Sequence, residues 1–255
     1  MGVSRPARES APAVSVCVAV YKAHGEPNLA ALQRALPAAL DGLSGELVVA
    51  LNGISAADAG AGRSARTIEL PVNRGVAPGW NAAATQARGE TLIFVNDDVV
   101  LGRRSLAALQ RALEAHRDVG VVASGGCSWD FAVADTAAVL DLRGRAPGEL
   151  VDCDAVTGFL FAARREVFDA AGGFDEAYAP CSFEEIDFCT AVRRRLGLRC
   201  CALTGIDVAH EWGISRRAMP WKRIRFDGRS ETLRSIHRRN RAHFMAKWPA
   251  ESEPH

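Results

Sequence analysis

The chain has 255 residues, 48% of them hydrophobic and 24% charged, which suits one large globular α/β domain or two small ones. Its 31 Lys and Arg offset 30 Asp and Glu, which argues against a partner chosen by bulk attraction to a polyanion, nucleic acid included. The longest apolar runs are strand-length, short of the roughly 20 residues that a membrane span needs.

In chain order, residues 1–12 carry Pro6 and Pro12 and read as a flexible leader, with no signal-peptide pattern before Val14. Residues 14–20 are rich in β-branched side chains, as in a strand buried on both faces. Asn28 is placed to cap a helix toward Leu36, which Pro37 ends or kinks. Residues 47–51 predict a second buried strand with a turn at Asn52-Gly53. Residues 55–64 predict a loop, and residues 67–70 a third strand. Pro78 fits the first position of a helix through Ala87. Residues 91–95 form a fourth buried strand and residues 119–123 a fifth. Between them Ser105 caps an amphipathic helix with Leu106, Leu109 and Leu113 on one face. This alternation predicts a mostly parallel sheet flanked by helices, which binds ligands beyond the carboxyl ends of its strands.

After Ala123 the rhythm breaks. Residues 125–149 are loop-rich, residues 155–163 are apolar, and a helix is expected from near Phe183 to Leu196, stopped by Gly197. Leu233, Ile236, Asn240 and Phe244 mark one face of a last helix whose other faces carry arginines. This later part reads as a smaller subdomain over the open edge of the sheet. Seven cysteines (Cys17, Cys127, Cys153, Cys181, Cys189, Cys200 and Cys201) form no C-x-x-C pair and no zinc-spaced Cys/His group. Thiols in a reducing cytosol are expected.

Three groups of residues carry chemistry. Asn96-Asp97-Asp98 ends a buried strand, where adjacent carboxylates are costly unless solvated, paired or metal-bound. Such oxygen ligands suit Mg²⁺ or Mn²⁺ with a diphosphate, although Asn and Asp are also ordinary turn residues. Glu184-Glu185-x-Asp187 opens a helix, where acids either complement the dipole or supply a general base. His210, in Val208-Ala209-His210-Glu211-Trp212, follows a short apolar strand and is either structural or a ligand.

Taken in order, these groups join Asn73-Arg74-Gly75 with Gly79-x-Asn81, Thr157-Gly158, Gly172-Gly173-Phe174-Asp175-Glu176 and Ser215. The set resembles the family 2 glycosyltransferases over roughly residues 14–248, and within them the rhamnosyltransferase-type enzymes of bacterial polysaccharide assembly. The resemblance implies a GT-A fold: a Rossmann-like, mostly parallel central sheet flanked by helices, with a smaller acceptor-side subdomain. Residues 13–124 then form the nucleotide-sugar-binding half and residues 125–248 the acceptor-side half of one domain. It also implies a nucleotide-sugar donor, a divalent cation (Mn²⁺ or Mg²⁺) and inversion at the anomeric carbon.

By the same resemblance Asp98 is the metal-binding aspartate, His210 completes the metal site, and Glu185, with Glu184 beside it, is the catalytic base. Val20, Tyr21, Asn52, Arg74, Gly75, Asn81, Asn96 and Asp97 fall on the donor side. Thr157, Gly158, Asp187 and Trp212 fall on the acceptor side. Three positions depart from the family pattern. Leu51-Asn52 stands where an Asp-Asn pair holds the nucleotide base, Lys22 replaces an Asn after Tyr21, and the base is Glu rather than Asp.

The implied reaction moves a sugar to a hydroxyl of a glycan, a lipid-linked saccharide or a small molecule. A catalytically silent nucleotide- or glycan-binding protein of the same fold is the alternative that Leu51 favours. A nucleotidyltransferase fits less well, because Tyr21-Lys22-Ala23-His24-Gly25 is no glycine-rich loop. The basic tail (Arg216, Arg217, Lys222, Arg223, Arg225, Arg229, Arg234, Arg238, Arg239, Arg241 and Lys247) is either a solvated helix face or a peripheral contact with the acidic inner membrane surface of a cytoplasmic protein. Trp80, Trp129, Trp212 and Trp221 are candidate sugar-stacking faces or core residues.

Overall fold

Strands that are apolar and buried on both faces build the central sheet. The structure is a computed structural model that describes residues 11–21, 28–210 and 220–249. In chain order its elements are β1 (Val14–Val20), α1 (Asn28–Leu40), β2 (Gly45–Asn52), α2 (Ala56–Ala59), β3 (Ala65–Leu70), α3 (Val76–Gln86), β4 (Thr91–Val95) and β5 (Val99–Leu101). Then come α4 (Ser105–Ala115), β6 (Val119–Ala123), β7 (Gly126–Asp130), β8 (Asp135–Val139), β9 (Leu150–Cys153), β10 (Ala155–Val156), β11 (Leu160–Arg164) and α5 (Arg165–Ala171). A 3-10 turn (Glu176–Tyr178) leads to α6 (Glu184–Leu196), β12 (Arg199–Leu203), β13 (Val208–His210), β14 (Arg223–Phe226), β15 (Arg229–Thr232) and α7 (Leu233–Lys247).

Eight strands form one sheet in the order β3-β2-β1-β4-β11-β6-β12-β9. The pairs β1–β2, β1–β4, β2–β3 and β6–β12 are parallel. The mostly parallel expectation holds, with two exceptions. β11 inserts antiparallel between β4 and β6, and β9 pairs antiparallel with β12 on the edge. All five residues of β11 are buried, which suits it to a central position. The sheet therefore draws strands from both sides of residue 124.

Val14, Val16, Val18 and Val20 face α1 and α4 through Leu29, Leu32, Leu106, Leu109 and Leu113. The opposite face packs Cys17, Val48, Ala50 and Phe94 under α3, α5 and α6, with Trp80 and Phe161 at its centre. Trp80 and Trp129 are both buried and pack against Phe94, Phe161, Phe183 and Phe244. These two indoles fill the core and offer no sugar-stacking face. Trp221 is 68% exposed.

Local expectations are narrowed in one place and corrected in three. Pro37 does not end α1, one of the two outcomes expected of it: the helix runs on to Leu40, where Ala39 and Leu40 bury themselves in the core. Pro78 is the third residue of α3, not the first, still within the turn whose N–H groups lack helical partners. Arg104, at φ 62°, precedes α4 in the capping position, while the Ser105 hydroxyl donates back to Gly102 O at 2.9 Å. Residues 125–149 contain the β7–β8 hairpin. Gly197 ends α6 in the left-handed conformation as expected. All seven cysteines are free thiols. Among the described residues no helix is long and apolar enough to cross a membrane.

Candidate functional site

Parallel strands β1, β2 and β4 bring Tyr21, Asn52 and Asn96 to one edge of the sheet. The Asn96 N–H donates to Phe159 O at 3.0 Å, which ties the acidic turn to the segment entering β11. The chain then leaves through β5, which pairs antiparallel with β13 so that His210 lies opposite Val99. This small ribbon brings His210 Nε2 to 3.2 Å from Asp98 Oδ1. The His210 ring stacks on Phe159, with centroids 4.6 Å apart and planes 4° from parallel. The Tyr21 hydroxyl has its pKa raised, first by partial burial and then by the fields of Asp97, Cys181 and Asp98. Tyr21 therefore stands beside the acids.

Glu185 occupies the first turn of α6 and lies directly over Gly158. A Cβ added at Gly158 would meet Glu185 Oε1 at 2.7 Å and Cδ at 2.8 Å. Only a glycine admits the carboxylate there. Neighbouring Thr157 is held by its N–H and hydroxyl donating to Gly125 O, at 3.0 and 3.3 Å. Ser182 and Phe183 enter α6 at φ 78° and 80°, left-handed conformations that cost about 1–3 kcal/mol each for such side chains. Burial of Phe183 against Trp129, Tyr178 and Phe244 offsets that cost.

Burial raises the carboxyl pKa of both Glu184 and Glu185, and the charge of Glu185 adds to the rise at Glu184. Glu184 Oε2 is buried without a hydrogen-bond partner among the described residues. Asp98, His210, Phe159, Gly158 and Glu185 thus form a run of neighbours, each close in space to the next or adjacent to it in sequence.

On the donor side the amides act on the backbone. Asn52 accepts from Arg74 N–H at 2.7 Å and donates to Gly75 O at 2.7 Å, so it shapes the residue 73–75 loop. Arg74 Nη2 pairs with Glu176 Oε2 at 3.3 Å. Asn81 donates to Phe174 O and accepts from Phe174 N–H, which fixes the Gly-Gly-Phe-Asp-Glu segment against α3. Val20 and Leu51 are buried in the core.

Asp187 is the clearest revision. Its carboxylate accepts from Tyr178 Oη (3.0 Å), Lys247 Nζ (2.8 Å) and Trp248 Nε1 (2.7 Å). It is buried beneath α7 as an anchor for that helix and offers no oxygen to an acceptor. Lys22, Trp212 and Ser215 lie outside the described residues, as do Arg216 and Arg217. Phe159 was not anticipated, although its place directly after Thr157-Gly158 was a signal. Nor was Cys181, whose thiol is pushed up to about 12, chiefly by burial and next by Glu184.

Among the described residues no group of three or more His, Cys, Asp or Glu is arranged to hold a metal ion. Asp98 and His210 supply one oxygen and one nitrogen facing each other. That two-donor set would suit a divalent cation such as Mn²⁺.

The sheet order and flanking helices define the GT-A class of fold. The sequence matches the profile described as glycosyl transferase family 2 over residues 15–170, and the chain belongs to that family. GalNAc-T7, crystallised with UDP, GalNAc and Mn²⁺, superimposes with a TM-score of 0.71 at 15% identity, covering 96% of this chain and 49% of that one. Mannosyltransferase PcManGT from Pyrobaculum calidifontis, in complex with GDP-Man and Mn²⁺, gives 0.53 at 22% identity over 78% of this chain and 56% of its own. S. aureus TarS residues 1–349 give 0.54 at 19% identity over 75% and 58%. The uncharacterized protein y4gI of Sinorhizobium fredii is 32% identical over 130 residues, 44% of this chain and 14% of that protein. The chain thus spans about half the length of these solved structures and a small part of the curated relative.

Proposed function

We propose that this chain transfers a sugar from a nucleotide-sugar donor to an acceptor hydroxyl, with inversion and with the help of a divalent cation. The observation that carries the reading is the connected path from the Asp98–His210 pair through Phe159 and Gly158 to Glu185. It joins an oxygen–nitrogen donor pair to a half-buried carboxylate through a run of neighbouring residues. Asp98 and His210 would hold the cation, which would supply positive charge to offset that developing on the leaving nucleotide. Glu185 takes the proton of the acceptor hydroxyl as its oxygen attacks the anomeric carbon, breaking the bond to the phosphate oxygen on the opposite face. Its burial favours the protonated form after transfer, which suits a base that must hold a proton.

Mn²⁺ beside a nucleotide or nucleotide sugar in GalNAc-T7 and PcManGT supports the same reading. A glycan, a lipid-linked saccharide or a small molecule is the acceptor class, and a rhamnosyl donor the first to test. Leu51 leaves base recognition without a carboxylate, so a panel of nucleotide sugars identifies the donor.

Glu185→Gln is expected to lower turnover roughly 10²–10⁴-fold while nucleotide-diphosphate affinity stays near the parent value. Asp98→Ala is expected to remove the Mn²⁺-dependent part of that affinity in calorimetric titrations. Near-parent turnover in Glu185→Gln removes Glu185 from the role, and equally tight binding without Mn²⁺ removes Asp98 from its own.

A further inference from the structure

Residues 177–182 lead from the 3-10 turn into the base helix, outside any strand or α-helix. Carbonyls outside regular structure still need partners, above all at the buried Tyr178 and Pro180, and each of the six has one. Arg239 donates to Ala177 O (3.0 Å) through Nη1 and to Ala179 O (2.6 Å) through Nη2. Asn240 Nδ2 lies 2.7 Å from Tyr178 O and 2.9 Å from both Cys181 O and Ser182 O, so its two hydrogens are shared among three carbonyls. Pro180 O accepts from the Val76 N–H at 2.8 Å. Two adjacent side chains of α7 therefore hold five of these six carbonyls, and the start of α3 takes the sixth, Pro180 O.

The Asn240 side chain is fully buried and its own Oδ1 has no hydrogen-bond partner among the described residues. An unpaired buried amide oxygen is costly, so this Asn is explained by what its nitrogen holds. The segment it holds contains Ser182 and ends at Phe183, the two left-handed residues that turn the chain into Glu184-Glu185.

We infer that Arg239 and Asn240 are positioning residues: from α7 they fix the backbone of residues 177–182 and thereby set where Glu185 enters the cleft over Gly158. Neither side chain is assigned a contact with the reacting atoms. The inference rests on the proposed transfer reaction for its kinetic readout and on backbone exchange for a readout independent of it.

The test compares Arg239→Ala, Arg239→Lys and Asn240→Ala with Arg238→Ala, an exposed neighbour on the same helix. Arg239→Ala is expected to lower kcat roughly tenfold to hundredfold, as small displacements of a catalytic group do. Donor KM should stay within about threefold, because the binding contacts are intact. Arg239→Lys, which keeps one donor, should recover part of the loss. By hydrogen–deuterium exchange, residues 183–187 should exchange faster in Arg239→Ala, with residues 188–196 unchanged. Arg239 is partly exposed, so its variants report even where Asn240→Ala fails to fold.

A kcat within about twofold of the parent overturns the inference. So does an equal loss in Arg238→Ala, or exchange that rises along all of α6. If the parent enzyme transfers no sugar but the exchange response is local, the proposed reaction fails and the positioning role stands. If transfer depends on Glu185 but neither kcat nor exchange responds to Arg239, the positioning role alone fails.

Discussion

Gly158 and Glu185 meet so closely that one methyl group decides whether the carboxylate keeps its place. Gly158→Ala would set a Cβ 2.7 Å from Glu185 Oε1, and the carboxylate, as the end of a side chain, is what must give. The fold should survive with its melting temperature little changed, while turnover falls on the order of the 10²-fold that a misplaced catalytic group costs. Melting curves and steady-state rates on one preparation check this; parent-like turnover would mean that Glu185 does not act from this position. Glu184 allows a prediction of opposite sign. Burial, then the neighbouring Glu185, raises its carboxyl pKa, so the folded state holds the proton more tightly than the unfolded chain. Its contribution is complete below the unfolded value near pH 4 and is lost as pH rises toward the folded one. Glu184→Gln keeps the shape and cannot ionise, so it should melt higher than the parent at pH 8, by about 2–4 °C for each kcal/mol relieved, and no higher at pH 4. A melting temperature that drops equally at both pH values would contradict the buried, unpaired carboxyl.

Elements, unlike single residues, are tied here by pairs distant in sequence, and α7 shows this best. Lys247 bridges Asp175 (2.7 Å) and Asp187 (2.8 Å), with His243 also on Asp175 at 3.0 Å. Burial alone would raise the Asp175 pKa, but hydrogen bonds from Lys247, His243 and the Ala177 N–H outweigh it and hold the carboxyl at about 2. Because that value is depressed, its stabilisation is present above pH ~4 and disappears as pH falls toward 2. Lys247→Met should destabilise the protein by about 2 kcal/mol at pH 7, less than the 3–5 typical of a fully buried broken pair because Lys247 is partly exposed. It should also flatten the acid slope in urea titrations between pH 4 and 2; an unchanged slope would rule out this network as its source. The same distance explains what was legible in the sequence. β1, β4 and β6 read correctly because nearly all their residues are apolar and all are buried or nearly so. The β7–β8 hairpin was hidden because β8 is exposed throughout and Ala134, not Gly or Asn, takes the left-handed turn position. Asp187 looked like its neighbours Glu184 and Glu185, and only Lys247 and Trp248, sixty residues on, separate it from them. Phe183 before α6 carries no capping signature, since its conformation is imposed by packing and by the carbonyl grip of Asn240.

At the scale of the whole molecule, charge is divided where the totals suggest balance. Between Pro220 and Pro249 nine Lys and Arg face two acids, a net +7, so the rest of a chain totalling +1 carries −6. Part of this basic charge is structural: Arg239 and Lys247 hold the base helix, and Arg229 pairs with Asp227. Lys222, Arg223, Arg225, Arg234 and Arg238 remain exposed, with Trp221 standing 68% exposed beside them. The β14–β15 hairpin is also tied to the donor side, since Asn73 donates to Arg225 O at 3.0 Å and accepts from the Asp227 N–H. A basic ribbon with an indole at its base has the chemistry of an interfacial contact: cations for acidic headgroups and an aromatic ring for the boundary layer. The reading proposed for this face is a peripheral contact with an anionic bilayer that presents the cleft to a lipid-linked acceptor. Sedimentation with phosphatidylglycerol-containing vesicles should show binding that phosphatidylcholine vesicles do not support, and raising salt from about 50 to about 500 mM should abolish it. Exchanging Lys222 and Arg234 for Glu should weaken binding by about tenfold or more, at about 1 kcal/mol for each cation near the surface. Turnover on a soluble acceptor should not change, because neither side chain belongs to the cleft. Salt-insensitive binding, or none, would leave the basic face as a solvated surface and the acceptor free in solution.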